Sequence, residues 1–233
     1  MLGRLVSAFA MILVAASPAY AASISFSDDF NTGTASAQWS NTAGTWSATS
    51  FNYLATAPTN SPTTFTLLPY DLLDFTVDVD VNNASDGGIW LRSDATRSNA
   101  LLLVIGGNSH TGTGFYFHQI VGGVFSGNLN SVGGLFTQGD EIHVQVVVAG
   151  NTYSVYLNGG STAVTSLTWI GGPTSGFTGL YDFGGTANTG IQSFDNFNLR
   201  GNTVGAAAVP EPATLGLFGA GLGVLAAIRR RRR

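Results

Sequence analysis

Neither cysteine nor lysine occurs in this chain of 233 residues. Without cysteine there is no disulfide, no thiol nucleophile and no thiolate metal site. Without lysine every basic group is an arginine, and between residues 22 and 208 these are only Arg92, Arg97 and Arg200, set against eleven aspartates and Glu141. So acidic a body excludes nucleic acid and anionic lipid as its partners. Glutamate is scarce as well: Glu141, beside Gly139-Asp140 at a turn, is followed only by Glu211. Charged residues make up 9% of the chain and glycines number 31, which would suit disorder, but aromatics at 11% and many β-branched runs argue for a packed β-domain. Amphipathic helical periodicity is missing between residues 23 and 200, and there is no solenoid or propeller repeat.

Short alternating runs fill that body instead. In Asp74–Val81, Phe75, Val77, Val79 and Val81 point to one face, and Thr76, Asp78 and Asp80 to the other. Further strands are predicted at Gly88–Arg92, Ala100–Ile105, Gly114–Val121, Ile142–Val148, Tyr153–Leu157, Gly176–Tyr181 and Ser193–Leu199. Gly106-Gly107, Gly122-Gly123, Gly150-Asn151 and Asn158-Gly159 are the turns between them. Strands at this spacing imply an all-β, antiparallel sandwich.

The two ends have a different composition. Arg4 precedes an apolar stretch from Leu5 to Ala16, and Ala19-Tyr20-Ala21 fits the small-x-small rule for cleavage after Ala21. Residues 1–21 therefore read as a signal peptide, with an N-terminal membrane anchor as the alternative. At the other end Val209-Pro210-Glu211-Pro212 precedes the uncharged run 213–228 and then Arg229–Arg233. Pro210 and Pro212 fix an extended backbone ahead of the run. As a helix the run would be about 24 Å long, slightly short of a hydrocarbon core of about 30 Å. The arginines stop transfer and hold the C-terminus in the cytoplasm. The alternative is a solvated basic tail on a buried helix.

This tail resembles the PEP-CTERM sorting signal of Gram-negative bacteria that make exopolysaccharide. The resemblance implies a motif at Val209, Pro210, Glu211 and Pro212, a transmembrane helix at 213–228, and a partner, an exosortase. That membrane protease would cleave near the motif and release or re-anchor the protein at the cell surface. The expected organisation is a signal peptide (1–21), a β-sandwich (22–201), a linker (202–208) and the sorting signal (209–233).

The order of pieces in the body resembles the laminin-G/concanavalin-like jelly roll. The matching pieces are Asp28-Asp29-Phe30 with Trp39 and Gly44-Thr45-Trp46, then Asp74-Phe75-Thr76-Val77 leading to Gly87-Gly88-Ile89-Trp90-Leu91-Arg92. The hairpin 150–159, then Gly176-Phe177-Thr178-Gly179-Leu180 and Phe194-Asp195-Asn196-Phe197, complete the match. Such folds include glycan binders, glycosidases and adhesion modules, so function must come from a site.

Four kinds of site are open. Glycoside hydrolysis needs two carboxylates across a sugar. Asp78 and Asp80 share one strand face, but the Glu-x-Asp-x-x-Glu strand of this fold's glycosidases is absent, and a solvated polar face is the plainer reading. There is no Gly-x-Ser-x-Gly elbow, and His110, His118 and His143 are scattered. A structural calcium suits an acidic exported module. Asp28 and Asp29 near the first strand and Asp195 near the last are its candidate ligands, against turn capping as the alternative. Sugar binding needs aromatic platforms with a few polar groups. Trp90 and Arg92, with Tyr116 and His118, are the candidates, lining one concave face if their strands share a sheet. The competing reading makes Trp90 a core residue and Arg92 a partner of Asp78 or Asp80. The expected function is a non-catalytic glycan-binding or adhesion protein of the cell envelope or exopolysaccharide matrix. A divergent glycoside hydrolase and a self-associating matrix protein are the alternatives.

Overall fold

The computed structural model describes residues 21–49, 51–59, 63–107, 113–184 and 192–204. Ala22–Val204 form one compact unit, in which every regular element among the described residues is a β-strand. The expected signal peptide, apart from Ala21, and the whole sorting signal with its transmembrane helix lie outside the described residues. Among the described residues no helix is long and apolar enough to cross a membrane.

The strands form two antiparallel sheets. The first runs β14 (Thr165–Thr168), β13 (Thr152–Leu157), β12 (Ile142–Ala149), β6 (Leu72–Asn82), β16 (Ser193–Thr203), β4 (Asn52–Thr56) and β3 (Thr45–Thr49), with β1 (Ala22–Asp28) also paired to β16. The second runs β10 (Val124–Phe125), β9 (Phe115–Val121), β8 (Ala100–Gly106), β7 (Asp86–Ser93), β15 (Phe177–Asp182), β5 (Thr64–Leu67) and β2 (Ser40–Ala43), with β11 (Leu129–Val132) also on β9. Late strands return beside early ones: β16 lies against β6 and β1, and β15 against β7. The result is an antiparallel β-sandwich of the jelly-roll kind.

Alternation explains which face each strand buries. Val77, Val79 and Val81 of β6 and Val144 and Val146 of β12 are wholly buried, while Thr76, Asp78 and Asp80 face outward. From the opposite sheet Ile89 and Leu91, Leu101, Leu103 and Ile105, and Phe115 and Phe117 meet them in one core. An aromatic group closes one end: the Phe30 and Tyr53 rings stack at 4.8 Å, and Trp39 meets Phe197 edge-on at 4.9 Å. Trp39 and Trp46 belong to this core. Each large apolar side chain so buried contributes about 1.5–3 kcal/mol.

The centre of the second sheet is buried on both sides. Every residue of β7 and β8 is buried. A second apolar cluster, with Phe65, Trp90, Leu102, Val104, Tyr116 and Tyr181, covers its outer face, and the cavity lies there.

Candidate functional site

Strand pairing alone builds this outer face. Trp90 lies between Ile89 and Leu91, which face the core, so its ring projects outward. In register, Trp90 pairs with Leu102, which pairs with His118. One step along, Gly88 sits between Val104 on one side and Tyr181 on the other, and Val104 pairs in turn with Tyr116. Gly88 brings no side chain to this row, and a Cβ there would lie 1.9 Å from the Leu103 carbonyl oxygen. Only glycine allows the backbone of β8 to approach so closely here.

On this face lies a cavity of ≈ 410 Å³ lined by Asp86, Val104, Tyr116, His118, Phe125 and Tyr181, together with Thr63 and Phe183. Its volume is within the range of small-molecule sites. Tyr116 meets His118 edge-on at 5.2 Å, and His118 meets Phe125 edge-on at 5.9 Å. Trp90 continues the aromatic wall, 5.3 Å from Phe65 and 6.5 Å from Phe125. Its buried Nε1 has no hydrogen-bond partner among the described residues.

The polar groups are few and uncommitted. Asp86 is 7% exposed, and its carboxylate accepts no hydrogen bond among the described residues. Burial pushes its pKa up to about 7. Burial, then the Asp86 charge, raises the Tyr116 and Tyr181 phenols, so both stay protonated and able to donate. His118 Nδ1 donates to the Ser126 carbonyl at 2.8 Å. Burial lowers its pKa against the pull of the Ser126 and Gly127 carbonyls, and the neutral ring keeps Nε2 as an acceptor. The cavity thus offers aromatic faces, two phenolic donors, one imidazole acceptor and one carboxylate.

Of the four candidate sugar-binding residues, Trp90, Tyr116 and His118 share this face, and Arg92 does not. Arg92 has a positive φ of 48°, at an irregularity where β15 shifts register against β7. The left-handed backbone turns its side chain out of the alternation. Its guanidinium donates to the carbonyls of Leu73 (3.0 and 2.5 Å) and Gly150 (2.6 Å), and pairs with Asp74 at 3.1 Å. Arg92 is a buried clasp between the sheets, and its carboxylate partner is neither Asp78 nor Asp80.

The three candidate calcium ligands are engaged within the chain. The Asp28 carboxylate is taken up by the chain itself, accepting from the Phe30 amide (3.3 Å), the Ser36 amide (2.7 Å) and Trp39 Nε1 (2.9 Å). Asp29 accepts from Asn31, and Asp195 from the Asn196 amide. Burial raises the Asp195 pKa, with Asp80 and Asp29 adding to it, so these acids repel one another. Among the described residues no group of three or more histidines or acids is placed to hold a metal. In this structure Asp28, Asp29 and Asp195 each bond to nearby chain, as loop and turn clasps do.

Asp78 and Asp80 lie on the outer face of the first sheet. Asp80 meets His143 Nδ1 at 2.6 Å and Asn196 at 2.8 Å, and Asp78 takes Gln145 at 2.7 Å and Arg200 at 3.1 Å. Every one of these carboxylates has a side-chain partner, as on a solvated polar face. Sequence reasoning missed Asp86, Val104, Phe125 and Tyr181. Asp86 was within reach: it precedes Gly88 and Trp90 by the two-residue step that places side chains on one face.

Comparison with known proteins places both parts of the chain. Residues 208–233 match the model of the PEP-CTERM protein-sorting motif. The chain ends in a PEP-CTERM sorting motif. No curated protein has a matching sequence. Among solved structures, the carbohydrate-binding module CBM66 from Bacillus subtilis superimposes with a TM-score of 0.52 at 18% identity, covering 73% of this chain and 94% of that one. The Emp47p carbohydrate recognition domain gives 0.53 at 17% identity, covering 78% and 95%. The Bacteroides ovatus xyloglucan PUL GH43B gives 0.56 at 19% identity, covering 75% of this chain but only 39% of that chain. At these identities the likeness is one of fold: the chain shares the β-sandwich architecture of these proteins. The sorting motif implies export through a membrane-held intermediate.

Proposed function

We propose that the protein is a non-catalytic glycan-binding module, exported by a Gram-negative cell and sorted by exosortase to the cell surface or exopolysaccharide matrix. The aromatic cavity on the outer face of the second sheet carries this reading. Sugar rings stack on aromatic faces, and their hydroxyls suit the two phenols, the imidazole and the carboxylate gathered there. The likeness to CBM66 and to the Emp47p domain supports it.

Hydrolysis fits the cavity poorly. Asp86 is the one carboxylate among the described lining residues. Asp182, one residue beyond Tyr181, alternates to the inner side of the sheet and is fully buried. The residues outside the description between 21 and 204, namely 50, 60–62, 108–112 and 185–191, include no aspartate or glutamate. The reaction takes two carboxyl groups across the sugar. The GH43B likeness keeps a hydrolase as the second reading, with Asp78 and Asp80 as its pair.

The fragment 22–204 carries the whole compact unit and serves for the test. It should be retained on the producer's own exopolysaccharide, and Tyr116→Ala and Tyr181→Ala should each weaken retention by about tenfold or more, the loss expected of an aromatic contact. No reducing sugar should be released. Absence of retention removes the reading, and sugar release lost in Asp78→Ala or Asp80→Ala replaces it with the hydrolase.

A further inference from the structure

Resting on the glycan-binding reading, we propose that the cavity takes a protonated amine, the ammonium group of a free amino sugar, seated between the Asp86 carboxylate and the rings of Tyr116, Tyr181 and Phe125. The observation behind it is a carboxylate left without a counter-charge. Asp86 is withdrawn from water, lines the cavity and accepts no hydrogen bond among the described residues. A buried carboxylate in that condition is costly unless something pairs with it.

Among the described residues no side chain supplies that counter-charge. The chain has no lysine. The Arg92 guanidinium is turned to the Leu73 and Gly150 carbonyls and to Asp74. Arg200 is on the first sheet, paired with Asp78. Arg97 stands over the Phe65 ring, 5.2 Å from its centroid, beside Trp90 and not among the cavity-lining residues. His118 is held neutral by burial, with Nδ1 tied to the Ser126 carbonyl. A cationic ligand would bring the counter-charge that these described residues do not.

The rest of the lining agrees. Aromatic faces attract a cation, and several such rings around one acid form a recognised way of holding an ammonium group. The Tyr116 and Tyr181 hydroxyls, uncommitted among the described residues, hold the sugar by its oxygens. A neutral sugar would give Asp86 a hydroxyl donor but no charge. A uronate would bring a second negative charge beside it.

The test titrates fragment 22–204 at pH 7 with glucosamine oligomers and with the same oligomers N-acetylated. The free amine form should bind about tenfold more tightly or better, and tetramethylammonium should compete with it. Asp86→Asn, matched in shape and checked by its thermal melt, should bring the two forms within about twofold of each other. Equal binding of the two forms by the wild-type fragment overturns the inference while leaving the glycan-binding reading intact, provided Tyr116→Ala still loses both. Capture of tetramethylammonium with no sugar bound also overturns it, because the ammonium would then belong to another class of ligand. Binding of neither form overturns the inference, and retention on the producer's own exopolysaccharide then decides the glycan reading separately.

Discussion

Asp182 is a carboxylate closed off from water, with Oδ1 accepting from the Phe183 amide and Oδ2 accepting nothing among the described residues. Burial lifts its pKa from 3.8 to about 8, the Phe183 amide pulls the other way, and the Asp86 charge adds to the rise. A raised native pKa means that the folded protein holds a proton which the unfolded chain has already lost. Its stabilising share is whole below about pH 4 and is lost as pH rises toward 8 and beyond. In that window each pH unit costs about 1.4 kcal/mol per retained proton. Asp86, raised to about 7, acts in the same direction. Asp182→Asn should therefore melt several degrees above the wild type at pH 9 and near it at pH 4. Parallel melts at the two pH values check this, and an equal shift at both would mean that the effect is packing and not charge. The pairing of these two acids is not visible in the sequence. Asp86 and Asp182 become coupled only because β7 and β15, far apart in the chain, are neighbours in the sheet.

At the scale of the strand, long alternation is what made the fold legible. β6 alternates from Phe75 to Val81 and β12 from Ile142 to Val146, and their paired registers bury the expected residues. The short strands β2 to β5, of four or five residues each, carry too few side chains to establish a period. The two-residue β10 is defined only by its partner β9. Arg92 shows why a face read from alternation fails at one residue. The register shift and positive φ rotate a single side chain, and nothing in the string Trp90-Leu91-Arg92 announces them. The consequence is structural. Arg92 links β7 to the start of β6 and to the turn after β12, and its cation lies 5.6 Å from the Tyr153 ring. Removing it strands buried carbonyls, so Arg92→Leu should cost about 2–4 kcal/mol in urea unfolding. Arg92→Lys should recover only part of this, because an ammonium cannot reproduce the fork. Full recovery in the lysine variant would reduce the clasp to a simple charge contact.

At the scale of the whole molecule, the address and the module occupy separate stretches of chain. The motif lies at 208–233, and the sandwich is complete within Ala22–Val204, where Ala22 pairs with Thr203 and the first and last strands lie side by side. Stability of the sandwich should then be independent of the tail, and sorting independent of the cavity. Variants in each half test this together, in the producing cell. Pro210→Ala with Pro212→Ala should leave the precursor uncleaved in the membrane fraction, because alanine frees the backbone that the prolines hold extended. Protein recovered from that fraction should bind glycan as the wild type does. Asp86→Asn should show the converse, with normal processing and fractionation on an immunoblot but altered glycan selectivity. A cavity variant that is missorted, or a motif variant that loses glycan, would mean that sorting reads the folded domain as well as its tail. The division of labour drawn from the sequence would then fail at the level of the molecule.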